Sequence, residues 1–310
     1  MITINQLEPT FATFPDEEVN VAFQPSLVAS LDNVVAIEWR FRNNDELIKL
    51  GLILNLLGTY DGIDQVDVHI PFMPYSRMDR HEAGYHNPMS LAVVMNILQV
   101  YDKQAPFEVH YSTDDLHNPA ALLDIASHGG MPVHFKNRQV MIDQLFDYME
   151  SQRTFAKETL VVFPDKGALA RYDEHNDDQT DEDSVVAMLK RTSNDQPNIM
   201  VGQKTRDFET HKITGYELPA AIPDNIKEIV IIDDVISYGG TFIKLIKAIR
   251  EKTDLPISIL TSHAEDALWR GDLLAENVPV ITSHSLNDHV QHLGENVIFY
   301  GHHGGMFFYG

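Results

Sequence analysis

The sequence predicts an α/β protein built from two similar domains, each a mainly parallel sheet flanked by helices. Three observations carry this. Short apolar runs alternate with segments of helical period along the chain. The alternation comes as two successive series, with no sequence-level repeat and no low-complexity linker. Nearly every strand-like run is followed at once by charged residues, as expected where parallel strands deliver chemistry at their carboxyl ends.

In chain order, VVAIEW (34–39) reads as a strand and DELIKLGLILNLLG (45–58) as an amphipathic helix ended near Gly58. VDVHIPF (66–72) is a strand leading to Pro74. Pro88 opens the next helix, where its missing N–H does no harm. FEVHYS (107–112) is a strand, followed by a short helix around AALLDIAS. QVMIDQLFDYMES (139–151) is helical. The second series has strands at 159–164, 198–204, 228–233, 256–263 and 279–284. Its helices are expected at 184–191, 241–252 and near DALWRGDLLAEN. Such alternation implies sheets covered on both faces. The expected division is 1–145, 146–290 and a tail, 291–310, that packs back on the N-terminal domain.

Hydrophobic residues make up 44% of the 310, enough for a real core. The absence of cysteine excludes disulfides and thiolate metal sites, and fits a reducing, cytoplasmic compartment. MITINQLEPT lacks the basic and apolar regions of a signal peptide, and LIKLGLILNLLG is too short to span a membrane. The formal charge of −23 argues against sequence-independent nucleic-acid binding. It leaves room for anionic small substrates met by local cations or a divalent ion. Much of the acidity sits in DEHNDDQTDED (173–183), read as a solvated loop because its spacing matches no calcium loop.

The strand-end segments are MPYSRMDR, TDDLHN, DKGALAR, KTRD and DVISYGGT. The last fits a phosphate and ribose cradle: glycines let backbone N–H groups face an anion, and a helix start adds its positive end. The plainer alternative is a tight turn with capping acids.

IVIIDDVISYGGT resembles the ribose-phosphate loop of the phosphoribosyltransferase fold, and the chain from about residue 10 to 285 resembles the ribose-phosphate diphosphokinase (PRPP synthetase) family. FPDEEVNV, PFMPYSRMDR, DDLHNPA, VVFPDKGALAR and QKTRD are similar to that family's other motifs, in its order. The resemblance implies Mg2+-dependent transfer of the β,γ-diphosphoryl group of ATP to the anomeric hydroxyl of a ribose 5-phosphate unit, releasing AMP. It implies Lys204 and Arg206 as catalytic cations. Phe14, Asp16, Glu18, Arg77, Asp79 and Arg80 fall on the ATP side. Asp233 and Asp234 take ribose hydroxyls, and Ser237, Tyr238, Gly239, Gly240 and Thr241 wrap the 5-phosphate. His117 and Asp165 match magnesium ligands, with Asp115 as a further ligand or support. It also implies a homo-oligomer with the active site at a subunit boundary.

The chain departs from the family pattern. Met78 stands for an ATP-side glutamine, Ser237 replaces an acid of the phosphate loop, and Tyr238 is bulky. NVIFYGHHGGMFFYG does not resemble the family's closing helix; His302 and His303 there suit a metal or a terminal strand. These changes point at the acceptor, and suggest a larger one such as ADP-ribose. A phosphoribosyltransferase consuming PRPP, or an inactive regulatory homologue, are the other readings. The ATP-side segments speak against the first, and Lys204, Arg206, His117 and Asp165 against the second.

Overall fold

The computed structural model describes residues 1–81, 84, 86–152, 157–173, 184–193, 197–206, 213–286, 296–301 and 305–307. Most of the acidic segment, and His302 and His303, lie outside the described residues. The chain divides into two compact units, Met1–Arg138 and Gln139–Gly310.

The first unit holds a five-stranded sheet in the order Ile2–Ile4, Val34–Trp39, Gln65–Ile70, Glu108–Asp114, His134–Arg138. Only the first pairing is antiparallel. Helices Asp45–Leu57, Ser90–Gln104 and Ala120–Ser127 make the crossovers between successive parallel strands. Because the strands add in one direction, right-handed crossovers place these helices on one face. The strands alternate accordingly. Val66, Val68 and Ile70 are buried in the core with Leu50, Ile53, Leu54, Leu98 and Val94, whereas Gln65, Asp67 and His69 remain partly exposed. Among the described residues of this unit, helices cover one face of the sheet rather than both as the sequence suggested, and its strands read polar at every second position.

An antiparallel hairpin, Thr10–Thr13 with Val19–Ala22, precedes that sheet. Phe11 packs on the core, and Lys49 of helix Asp45–Leu57 lies 5.2 Å over its ring. The turn is closed by Phe14 N–H to Glu18 O (2.8 Å) and Glu17 N–H to Phe14 O (2.9 Å).

The second unit carries a seven-stranded sheet in the order Gly305–Phe307, Val297–Gly301, Val280–Ser283, Ile257–Ala264, Glu228–Ile236, Thr159–Phe163, Ile199–Val201. All neighbours are parallel except the terminal pair. Here both faces are covered. Leu160, Val162, Ile229 and Ile231 pack with Phe242, Leu245 and Ile249 of helix Gly240–Arg250. The alternate residues Val161, Phe163, Val230 and Ile232 pack with Met141, Leu145, Val185 and Leu189. Two-sided burial explains the unbroken apolar runs.

Several expectations shift. The anticipated divide at 145/146 would cut helix Met141–Gln152, whose Met141, Leu145, Tyr148 and Met149 are all buried in the second unit's core. The described part of the tail extends the second unit's sheet: Val297–Gly301 adds parallel to Val280–Ser283. DALWRGDLLAEN forms two 3-10 turns, Asp266–Arg270 and Leu273–Glu276, rather than one helix. Gly271 separates them and lies so close to the Tyr238 backbone that no Cβ fits.

The single strand expected over 198–204 is broken at Gly202. Ile199–Val201 belongs to the large sheet, and Gln203–Arg206 leaves it to pair with Ile213–Glu217. A Cβ at Gly202 would stand 2.9 Å from Pro164 O and 3.2 Å from both Leu245 and Tyr216. Gly202→Ala is thus overpacked against backbone, and chemical denaturation should show it less stable by about 1–3 kcal/mol. An unchanged midpoint would show that this break is not set by packing.

Candidate functional site

In the first unit, the segment after Gln65–Ile70 brings the buried Asp79 beside Arg80, which donates from Nε (2.7 Å) and Nη2 (2.9 Å). Burial alone would raise the Asp79 carboxyl. Hydrogen bonds from Arg80 and Asn118, with the charges of Arg80 and His117, outweigh it and hold Asp79 below its ordinary range. So Asp79, Arg80 and His117 converge. Arg77 and Met78 are exposed on the same segment.

Asp114 ends the strand Glu108–Asp114 and meets His69 Nε2 at 3.2 Å and Arg138 Nε at 3.4 Å. Asp115 follows with a left-handed φ of 36° and donates its N–H to Arg138 O (2.7 Å). Its side chain is 3% exposed. Leu116 after it is buried in the core, and His117 beyond that is half-buried. Phe14, 50% exposed, Asp16 and Glu18 form the hairpin tip, where Asp16 Oδ1 accepts the Glu18 N–H at 3.4 Å.

In the second unit, Asp165 sits before helix Lys166–Asp173, and its Oδ1 accepts the Ala168 N–H (3.0 Å). Its other oxygen pairs with Lys204. Against desolvation, the Lys204 contact and the N–H groups of Ala168 and Gly167 keep Asp165 below its ordinary range. Desolvation pulls Lys204 down, but the Asp165 hydrogen bond and charge lift it above its usual value. Both partners shift in the sense of a charged pair. Tyr216, opposite Lys204 in the hairpin, brings its hydroxyl beside Thr241 and Lys204. Arg206 pairs by backbone with Ile213 across a bulge; its side chain lies outside the described residues.

Asp233 and Asp234 lie within the strand Glu228–Ile236, not at its end. One guanidinium spans both: Arg171 Nη1 is 2.9 Å from Asp233 Oδ1 and 2.8 Å from Asp234 Oδ1. Burial and the adjacent Asp234 charge nevertheless push the Asp233 carboxyl up to about 8. The turn Ser237-Tyr238-Gly239 then leads into helix Gly240–Arg250. Gly239 takes φ 79°, and a Cβ there would stand 2.5 Å from Leu273, so only glycine fits. Tyr238 is 58% exposed, and nothing lies within 4 Å of a Cβ on Gly240. The first N–H groups of this helix lack helical partners and carry the positive end of its dipole.

The structure therefore gathers Lys204, Asp165 and Thr241 around Tyr216, and Asp233 and Asp234 around Arg171. Tyr216, Arg171, Asp114, Arg138 and His69 were not singled out from sequence. For Arg171 a signal existed: it closes FPDKGALAR six residues after Asp165, on the helix leaving that strand end.

No family model matches the chain. A ribose-phosphate pyrophosphokinase from Pyrococcus abyssi is 25% identical over 305 residues, covering 94% of this chain and 92% of that protein. One from Pyrococcus furiosus is 26% identical over 263 residues, covering 83% and 79%. Among solved structures, phosphoribosylpyrophosphate synthetase from Mycobacterium smegmatis matches 94% of this chain and 85% of its own, with a TM-score of 0.67 and 19% identity.

Arg171 compensates two adjacent carboxylates, so Arg171→Met should cost about 3–5 kcal/mol of stability. A carboxyl raised in the fold contributes stability present below its ordinary pKa and lost as pH rises toward the folded value. Arg171 is what draws the Asp233 carboxyl down, so without it that carboxyl stays protonated past about pH 8 while the wild type ionises, and the deficit should widen from about pH 7 to about pH 9. Denaturant titrations at both values check this; a pH-independent deficit would speak against an ionic role.

Proposed function

We propose that the chain, a distant relative of the ribose-phosphate pyrophosphokinases at about a quarter identity over most of its length, transfers the β,γ-diphosphoryl group of ATP to the anomeric hydroxyl of a ribose 5-phosphate unit, releasing AMP. The turn Ser237–Thr241 carries this reading. It begins three residues after two adjacent carboxyls and supplies N–H groups without helical partners at the start of an eleven-residue helix.

In the second unit, Asp233 and Asp234 accept from the ribose hydroxyls while Arg171 holds them in place. Ser237, Tyr238, Gly239, Gly240 and Thr241 enclose the 5-phosphate. In the first unit, Arg77, Asp79 and Arg80 bind the ATP phosphates. Phe14, Asp16 and Glu18 meet adenine, from the hairpin of a neighbouring protomer in a homo-oligomer. The new bond joins the anomeric oxygen to the β-phosphorus. The bond from that phosphorus to the bridging α-oxygen breaks, and the hydroxyl proton is released. Lys204 and Arg206 neutralise charge on the transferring group.

The groups that would hold Mg2+ are His117, with Asp115 in support, in the first unit, and Asp165 in the second. Asp165 fits a hard cation: it is held ionised and its side chain is 37% exposed. When bound, Mg2+ supplies charge neutralisation and orientation to the phosphate oxygens. The protein's expected place is the cytoplasm; among the described residues no helix is long and apolar enough to cross a membrane.

A second reading keeps the chemistry and enlarges the acceptor to ADP-ribose. Tyr238, exposed at the lip of the phosphate turn, is placed to pack on whatever extends from that phosphate. Incubation with Mg2+, ATP and either acceptor, with AMP measured, tests both readings. AMP should form one-for-one with the diphosphorylated sugar, and no AMP with either acceptor would sink the proposal. Tyr238→Ala should lower the preference for ADP-ribose; identical ratios in both proteins would remove the second reading. Lys204→Ala should reduce kcat by about 10²–10³-fold with little change in KM.

A further inference from the structure

The polar face of the first unit's sheet bears a group that the proposed reaction does not use. Asp67, His110 and His134 stand in one row across three adjacent strands: Asp67 is opposite His110, and His110 opposite His134. Glu108 precedes His110 by two residues and so shares the same face. Candidate ligand atoms of Glu108, His110 and His134 all lie within 4.8 Å of one another. The two imidazole rings are 4.4 Å apart, centre to centre.

We propose that Glu108, His110 and His134 form a binding site for a borderline divalent cation of the zinc type, with Asp67 as the positioning residue behind His110. The two nitrogens of His110 face different carboxylates. Nδ1 lies 3.7 Å from Asp67 Oδ1, and Nε2 lies 3.3 Å from Glu108 Oε2. Gln65 Nε2 in turn donates to Asp67 Oδ1 at 2.6 Å. At 3.7 Å Asp67 stands beyond hydrogen-bond distance of Nδ1; drawn into contact, a carboxylate there fixes the proton on that nitrogen and leaves the other nitrogen's lone pair for a metal. Here that nitrogen points toward Glu108, where the cation would sit.

The donor set decides which cation. Two imidazoles and a carboxylate suit zinc, cobalt or nickel, whereas magnesium takes oxygen donors. Zinc bonds of about 2.1 Å set tetrahedral ligand atoms roughly 3.4 Å apart. Closing from the observed separations needs only side-chain rotation, since Glu108 and His134 are exposed and His110 is half-buried. Three protein ligands leave a fourth position for water.

Within the first unit the site stands apart from Asp115 and His117. It lies at the start of the strand Glu108–Asp114, and Asp115 follows its far end, five residues from His110, or about 17 Å along the strand. It joins a central strand to the edge strand His134–Arg138. An ion bound only by the folded protein raises its stability by mass action, so the site acts as a clasp on that edge.

The test titrates zinc alone into the tag-free full chain against a chromophoric chelator. Wild type, His134→Ala and Asp67→Asn are compared; His117→Ala serves as control for the magnesium-type donors. His134 is exposed, so its replacement leaves the core intact. Wild type and His117→Ala should both show a zinc site that His134→Ala loses and that Asp67→Asn weakens by about tenfold or more. Zinc should also raise the melting temperature of wild type more than that of His134→Ala. Equal stoichiometry and affinity in wild type and His134→Ala, or a site lost only in His117→Ala, would overturn the proposal.

Discussion

Two carboxylates in succession on a buried parallel strand are an electrostatic burden that the second unit has to answer. Asp233 and Asp234 lie midway along the sheet, with Asp234 almost fully enclosed. Arg171 answers it with one nitrogen shared between them, from a helix that begins at Asp165. Much of the candidate site follows from this arrangement. The helix that supplies Arg171 also presents Ala168 N–H to Asp165, and Asp165 pairs with Lys204. Strand, helix and hairpin are thus tied by charge at one end of the sheet. Gly239 and Gly271 let the following turn close against its neighbours without side chains in the way.

The two units solve the same folding problem differently. In the second, helices cover both faces, and every residue of Ile257–Ala264 is buried. In the first, helices cover one face, and the other retains Asp67, His69, His110 and Ser112. That polar face gives both the His69–Asp114 contact near the strand ends and the His110–His134 pairing at the opposite end.

The fold class was legible because alternation of apolar runs and helical periods is a local signal, strong in VVAIEW and EIVIID. What escaped depended on contacts distant in sequence. Nothing local in NIMVGQK reveals that Gly202 turns under Pro164 and sends Lys204 into a separate hairpin. Nothing local in NVIFYG reveals that it extends the second sheet. DALWRGDLLAEN has helical composition, but its glycine must touch Tyr238. The candidate site was legible as a set of strand ends bearing charge. The partners of those charges were not, since pairing of Arg171 with Asp233 spans 62 residues. Asp233 and Asp234 read as a strand end because charge usually stops a strand; an arginine from another element let this one continue to Ile236.

The central requirement is that Asp233 and Asp234 are adjacent carboxyls bridged by Arg171, Asp234 enclosed and Asp233 part-exposed toward the ribose hydroxyls. Carbon-detected NMR of the Asp233 side-chain carboxyl in the full chain, followed through a pH titration, measures this at the atom concerned. The account predicts an inflection far above the ordinary carboxylate range, near about 8. An inflection in the ordinary range near about 4 would contradict it, because it would place Asp233 in water and away from a second charge.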